Sequence, residues 1–214
     1  MSKQGVPKGY AFMIRYLQYK ISQFFAWFLF IIFFSVRVRG RRNIPKKGAF
    51  IVASTHQSYL DPILIGFSCP LPVRYMARET LFRNPLFAML IRSYGAFEIE
   101  RDSADLGALR SAVEILKKGS RLLLFPEGKR SLDGSVSEVK PGVFLVSKRA
   151  NARILPVRIR GAHKAWNRNS KFPRLFSPIM VEYGVVFSVE PDADYRLLCE
   201  RLRAWYQTGT KYAS

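Results

Sequence analysis

Apolar and polar positions along the chain follow the periods of strands and helices in alternation. The strand-like segments are residues 36–40, 49–54, 73–77, 96–101, 121–125, 153–159 and a stretch within 179–187. The helix-like segments are residues 62–67, a stretch between Pro85 and Gly95, and residues 105–118, 141–150 and 195–206. Several strands are almost wholly apolar, as strands buried on both faces are. The pattern predicts an α/β domain with a mixed, largely parallel sheet covered by helices.

The first 37 residues have a different pattern. Residues 10–23 mix apolar and basic positions as an interfacial helix does, and residues 24–34 form an aromatic, apolar run. That run is short for a hydrocarbon core about 30 Å thick. We predict an N-terminal helical membrane anchor over residues 1–37, lying in one leaflet, and one globular domain over residues 38–214. A single tilted span, a signal-anchor and a buried soluble helix are the alternatives.

The formal net charge of +20 is unevenly distributed. Ten Lys and Arg residues precede Asp61, whereas no Asp or Glu does. Such a block favours a polyanionic partner, which is either an anionic membrane face or a nucleic acid. Because the cations lie beside an apolar aromatic segment and not on a recognition helix, we expect the membrane face and no nucleic acid.

His56 and Asp61 lie five positions apart at the end of a predicted buried strand. On one continuous helix this spacing would separate their side chains by about 140°, so they meet only if a turn intervenes, and a strand-to-helix turn is predicted here. A carboxylate that accepts the proton of one imidazole nitrogen leaves the other nitrogen free to act as a general base. The alternative is structural: Asp61 followed by Pro62 also has the form of a helix N-cap with proline at the first helical position.

No metal ion or other cofactor is expected. Cys69 and Cys199 have neither the spacing of metal ligands nor a disulfide framework. His163 has no acidic residue or second histidine at ligand spacing. A reducing compartment is therefore compatible with the cysteine content.

Four short blocks make the prediction more specific. They are HQSYLD at residues 56–61, GAFEIER at 95–101, FPEGKRS at 125–131 and ILPV at 154–157. In order and spacing they resemble the motif blocks of the glycerolipid acyltransferases, most of all the 1-acyl-glycerol-3-phosphate (lysophosphatidic acid) acyltransferases, the bacterial enzymes that make phosphatidic acid. The resemblance covers roughly residues 36–190.

The resemblance implies transfer of an acyl chain to the sn-2 hydroxyl of lysophosphatidic acid. The acyl donor would be a thioester on coenzyme A or acyl carrier protein, with His56 as general base and Asp61 as the carboxylate that orients it. Ser58 could suggest a hydrolase-like nucleophile, but it lacks the Gly-x-Ser-x-Gly elbow. The implied location is the cytoplasmic face of the inner membrane, through a monotopic or N-terminal anchor.

The resemblance also implies substrate-binding positions, with Arg101 and Arg130 as the cations for the acceptor phosphate. Their alternative role is surface charge, and that of Glu127 is an ion pair with Arg130. The full set of substrate-binding positions is Arg101, Glu127, Gly128, Lys129, Arg130, Lys140 and Pro156.

Lys129 departs from the family, which usually has threonine at this position. The lysine replaces a hydroxyl contact with a cation. Two other functions remain open from the residues alone. One is acylation of another lysolipid, such as lyso-ornithine lipid or a lysophospholipid. The other is a basic membrane- or nucleic-acid-binding protein without catalysis.

Overall fold

The structure is a computed structural model that describes residues 31–78, 95–99 and 104–209, together with positions 17, 21, 24, 28, 82, 83, 85, 88 and 91. The strands are β1 (Arg37–Arg39), β2 (Phe50–Ser54), β3 (Val73–Arg78), β4 (Ala96–Ile99), β5 (Arg121–Leu124), β6 (Arg153–Arg160) and β7 (Met180–Tyr183). The helices with stated bounds are α1 (Asp61–Ser68), α2 (Ala104–Lys117), α3 (Gly142–Ala150), α4 (Ala162–Ala165) and α5 (Tyr195–Thr208). A 3-10 turn spans Arg41–Asn43.

The strands described form one mixed sheet in the order β1-β7-β6-β2-β5-β3-β4. β6, β2, β5, β3 and β4 run parallel, while β7 is antiparallel to β6 and parallel to β1. The predicted mixed, largely parallel α/β sheet is therefore confirmed. β2 lies in the middle, between β6 and β5, which explains why all five of its residues are buried.

The alternation of side chains along the central strands divides the core into two layers. Phe50 and Val52 of β2 pack on one face, against α1, α4 and the buried Phe34. Ile51 and Ala53 pack on the other face, against α2, α3 and α5. An almost wholly apolar strand is the expected result when helices cover both faces of a sheet.

Two loops leave the sheet side by side because their strands are parallel neighbours. Ala53 pairs with Leu124, so the chain after β2 and the chain after β5 emerge at the same edge. In α/β sheets this carboxyl edge is where ligands bind. His56 follows β2 and Glu127 follows β5, which brings two of the four sequence blocks together.

The start of α1 differs from the predicted cap. The N-cap position is Leu60, and Asp61 is the first helical residue, with proline next to it. No side chain caps this helix end. The Asp61 carboxylate turns back to the preceding loop instead, because the backbone N–H groups of Gln57 and Ser58 offer it closer donors.

The predicted anchor is described only in part. Residues 31–34 are helical, Phe34 and Val36 are buried in the core, and the predicted domain boundary after Arg37 falls inside β1. Ile179 N–H donates to the Phe34 carbonyl at 3.2 Å, which ties the end of this helix to the sheet. In the part of the chain that the structure describes, no helix has the length and apolar character needed to cross a membrane.

Candidate active site

His56 and Asp61 are in direct contact. His56 Nδ1 lies 3.0 Å from Asp61 Oδ2, and the same oxygen accepts the backbone N–H groups of Gln57 at 2.6 Å and Ser58 at 2.7 Å. An oxygen with two such donors acts as an acceptor, so the Nδ1 contact requires the proton on the imidazole. This tautomer leaves Nε2 without a proton, which is the state that a general base needs.

The third block holds His56 on three sides. Its backbone N–H donates to Glu127 Oε1 at 2.8 Å, and its carbonyl accepts the N–H of Ser131 at 2.8 Å. The imidazole also stacks on the Phe125 ring, with centroids 3.8 Å apart and planes 15° from parallel. With 18% of its side chain exposed, His56 is fixed in place yet open to solvent.

Glu127 is a buried link between loops. Its side chain accepts the His56 N–H at Oε1 and the Ser137 N–H at Oε2, the latter at 2.7 Å, and the residue is only 2% exposed. Burial raises the pKa of this carboxyl, and the hydrogen bonds from His56 and Ser137 partly oppose the rise. Its oxygens therefore bind His56 and Ser137, an arrangement that differs from the alternative role of Glu127 as an ion-pair partner of Arg130.

Arg130 lies against the loop that contains His56. Its guanidinium carbon is 3.8 Å from the centroid of the Tyr59 ring, and Tyr59 in turn contacts Trp166 at 5.4 Å between centroids. A cation over an aromatic face is attracted to the negative face of the ring. The stack therefore fixes where the charge of Arg130 lies.

Gly128 and Lys140 are neighbours in space. Gly128 has φ +71°, and a Cβ there would lie 3.3 Å from Lys140 Nζ. Lys140 donates its backbone N–H to the Pro126 carbonyl at 3.0 Å, which closes the loop after the third block. Lys129 and Lys140 are exposed, so this side of the site presents cations to solvent.

The structure does not bring every predicted site residue to this cluster. Pro156 is buried within β6, in register with Ala53 of β2. A Cβ at Gly184 would lie 2.8 Å from Pro156 Cγ, so the proline ring packs inside the fold. Arg101 and the second-block residue Glu100 lie outside the described residues.

The Ser58 hydroxyl has structural partners. It donates to the Trp166 carbonyl at 2.6 Å and accepts the Leu60 N–H at 3.1 Å, and the residue is fully buried. A hydroxyl engaged in this way is not arranged as a nucleophile beside a base. Among the residues described, no group of three or more His, Cys, Asp and Glu side chains could hold a metal ion.

Sequence reasoning missed the aromatic residues of the site. The sequence pattern predicts Phe125 only as the end of a buried strand, and it predicts no role in the site for Tyr59 or Trp166. The available signal was their position: Phe125 is the first residue of the third block, and Tyr59 lies within the first block. Their contacts depend on which loops meet, and local sequence does not specify that.

The fold and the site together define an α/β protein with a histidine–aspartate pair and several cations at the carboxyl edge of its sheet. Residues 35–160 match the model of the Acyltransferase family. This match takes in more than half of the chain, so the chain belongs to the Acyltransferase family, and the resemblance found in the four blocks is confirmed.

Named relatives extend this result. The chain is 35% identical over 114 residues to the 1-acyl-sn-glycerol-3-phosphate acyltransferase of Streptococcus pneumoniae. This alignment covers 52% of this chain and 42% of the relative. It is 26% identical over 127 residues to the enzyme of that name from Bacillus subtilis, covering 59% and 63%. These alignments span less than two thirds of either relative.

A solved structure shows the same fold. The crystal structure of the 1-acyl-sn-glycerophosphate (LPA) acyltransferase from Thermotoga maritima superposes with a TM-score of 0.79 at 27% identity. The superposition covers 91% of this chain and 79% of the other.

Proposed function

We propose that the protein transfers an acyl chain from acyl-coenzyme A or acyl carrier protein to the sn-2 hydroxyl of 1-acyl-glycerol-3-phosphate, giving phosphatidic acid. The observation that carries the proposal is the His56–Asp61 contact of 3.0 Å at the carboxyl edge of the sheet. Family membership and the names of the relatives point to the same reaction.

In this mechanism His56 Nε2 accepts the proton of the acceptor hydroxyl as its oxygen attacks the thioester carbon. Asp61 keeps the other proton on Nδ1 and stabilises the imidazolium that forms. The carbon–sulfur bond breaks, the leaving thiolate takes up the proton from His56, and the new ester is released. No covalent acyl-enzyme is required, in keeping with the structural role of the Ser58 hydroxyl.

The acceptor phosphate is expected to bind beside His56. Arg130, Lys129 and Lys140 offer cationic donors there, and Gly128 allows a close backbone approach. Arg101 is proposed as a further cation from its motif position alone. Glu127 contributes by holding the backbone of His56 in place, and Pro156 by packing beneath the site.

Attachment to the membrane is part of the proposal. The described positions Leu17, Ile21, Phe24, Phe28 and Ile31 are helical, exposed, and spaced three or four residues apart. This spacing puts them on one helix face, as in a helix lying in the plane of a membrane surface. The anchor predicted over residues 1–37 then ends before the buried Phe34, and the acyltransferase domain predicted over residues 38–214 lies at the cytoplasmic face of the inner membrane.

The test is an acyl-transfer assay with purified protein. Lysophosphatidic acid, lysophosphatidylcholine and lyso-ornithine lipid are each offered with acyl-coenzyme A and with acyl carrier protein. We expect turnover with lysophosphatidic acid because the site presents cations to a phosphate monoester. Transfer only to lyso-ornithine lipid would favour the alternative function, acylation of that lysolipid. No transfer to any acceptor would overturn the proposal.

His56→Ala tests the base. The variant should lower kcat by roughly 10² to 10⁴ while remaining folded, because a general base contributes about that much. Asp61→Asn should also lower kcat, since it removes the carboxylate that holds the proton on Nδ1. Near-normal kcat in His56→Ala would exclude the mechanism.

A further inference from the structure

Residues 166–178, which lie in the segment between α4 and β7, present apolar side chains to solvent and are called the aromatic loop. Phe172 is 72% exposed, Phe176 71% and Leu175 44%. Within the described part of the chain, no phenylalanine is more exposed than these two. Three large apolar side chains within five positions form a patch, and such patches mark contact sites.

The backbone of the aromatic loop is well held, so the exposure of its side chains is a feature of a formed structure. Arg174 N–H donates to the Ala165 carbonyl at 2.7 Å, and Ser177 Oγ donates to the Arg174 carbonyl at 2.9 Å. Phe176 N–H donates to the Phe33 carbonyl at 2.5 Å. The loop therefore lies against the end of the N-terminal helix.

Phe176 has an unusual backbone for an aromatic residue. Its φ is +59°, in the left-handed region that bulky side chains disfavour. Such a conformation persists only when surrounding contacts impose it, and it is concentrated at functional positions. The fold thus holds an exposed aromatic ring at a conformational cost.

The charge along this part of the sequence is of one sign. Residues 139–181 contain ten Lys and Arg and no Asp or Glu. Lys171 and Arg174 are exposed within the patch, and Lys171 Nζ lies 5.6 Å from the centroid of the Phe172 ring. Apolar rings interleaved with cations match a surface of lipid phosphates over acyl chains.

We propose that the aromatic loop is a second membrane-contact element, which enters the headgroup region of an anionic bilayer through Phe172, Leu175 and Phe176. Lys171 and Arg174 contact lipid phosphates in this arrangement. The loop begins at the site, where the Trp166 carbonyl accepts the Ser58 hydroxyl. Its insertion therefore brings the mouth of the site against the lipid surface. This inference goes beyond acyl transfer, since surface contact by the loop needs no catalysis.

Vesicle binding of the full chain tests the proposal with a matched pair of double variants. Phe172→Ser with Phe176→Asn removes the rings, and asparagine tolerates the positive φ. Val185→Ser with Leu197→Gln removes two exposed apolar side chains elsewhere on the described surface. With phosphatidylcholine vesicles containing phosphatidylglycerol, the first variant should lower the partition coefficient about tenfold or more, while the second leaves it unchanged.

A fluorescent label gives a second measurement. It reports on the loop itself, even when the N-terminal helix supplies most of the vesicle binding. An environment-sensitive dye is attached to Phe172→Cys in a Cys199→Ser background. The dye labels only position 172, because Cys69, the one remaining cysteine, is buried. We expect the emission to shift to the blue on these vesicles and to be quenched by brominated acyl chains. A label that stays in water on bound protein would overturn the proposal. A blue shift without lipid that grows with protein concentration would show a contact between copies of the chain, and would also overturn it.

A short-chain, water-soluble lysophosphatidate analogue separates this inference from the proposed function. Without vesicles, Phe172→Ser with Phe176→Asn should keep the kcat of the parent protein. If the parent shows no acyl transfer but the label at position 172 of the variant enters the bilayer, the proposed function fails and the membrane contact stands.

Discussion

At the scale of single residues, the contact between Arg130 and Tyr59 defines how the site presents positive charge. The guanidinium carbon lies 3.8 Å from the ring centroid, and Tyr59 belongs to the loop that contains His56. A cation in such a position gains about 0.5 to 2 kcal/mol, and it also loses freedom to point elsewhere. Tyr59 is therefore expected to position Arg130 for the acceptor phosphate.

Tyr59→Leu should raise the KM for lysophosphatidic acid severalfold and leave kcat nearly unchanged, because the ring affects where the phosphate binds and not the proton transfer. Tyr59→Phe is the matched control, since it retains the aromatic face. Steady-state kinetics with varied acceptor at saturating donor measures both constants. An unchanged KM in Tyr59→Leu would show that Arg130 needs no ring to hold it.

At the scale of elements, the site forms where two loops from parallel neighbours interlock. Glu127, in the loop after β5, binds the backbone of His56 in the loop after β2, 71 positions away in sequence. It also binds Ser137 further along its own loop. One buried carboxylate therefore links the backbone of His56 to the loop after β5.

Glu127→Gln should lower kcat, because an amide offers one oxygen where the carboxylate offers two, and a backbone N–H loses its acceptor. An unpaired buried donor costs about 1 to 3 kcal/mol. Stability against pH gives an independent measurement. Burial raises the pKa of Glu127 in the folded protein above the ordinary value of 4.5, which the unfolded chain retains.

As pH rises from 4.5, the unfolded chain releases this proton before the folded protein does. The stabilisation that the raised pKa gives the folded protein is complete below pH 4.5, the pKa of this group in the unfolded chain. It is lost as pH rises through the pKa of the folded protein. The free energy of unfolding of the parent minus that of Glu127→Gln should therefore fall across this window in urea titrations. A difference that grows with pH would contradict the direction of the shift.

At the scale of the whole molecule, Arg158 joins the two antiparallel strands to the last helix. Its Nη2 and Nε lie 2.6 Å and 3.2 Å from Glu182 Oε2, and Nη1 donates to the Gln207 carbonyl at 3.2 Å. A Cβ at Gly209 would lie 2.1 Å from Nη2, so the end of α5 closes over the guanidinium. The network fixes α5 on the sheet, where Tyr206 Oη donates to the Ala53 carbonyl at 2.9 Å.

Arg158→Met should lower the free energy of unfolding by about 2 to 4 kcal/mol, because it leaves the Glu182 carboxylate partly buried without its cation. Arg196→Met is the matched control. Arg196 pairs with Glu200 on the exposed face of α5, and such surface pairs contribute about 0.5 kcal/mol or less. Urea denaturation of both variants measures the difference, and equal losses would exclude a special role for the buried pair.

Much of the architecture follows from local pattern. The apolar runs that became β2, β5 and β6 and the helical periods of α2 and α5 were predictable because strand and helix burial repeat at fixed intervals. The segment predicted within residues 179–187 is a strand only over Met180–Tyr183. Next to it, Gly184 packs against Trp205 of α5 and Pro156 of β6, which are contacts between distant parts of the chain.

The amino-acid sequence alone shows the α/β rhythm and the basic block and predicts the pairing of His56 with Asp61, since each depends on residues a few positions apart. The partners of Glu127, the ring under Arg130 and the burial of Pro156 depend on the order of the strands. A hydrogen bond requires its two atoms to lie within about 3 Å. Only the placement of β2 between β6 and β5 brings residues 71 positions apart to that distance.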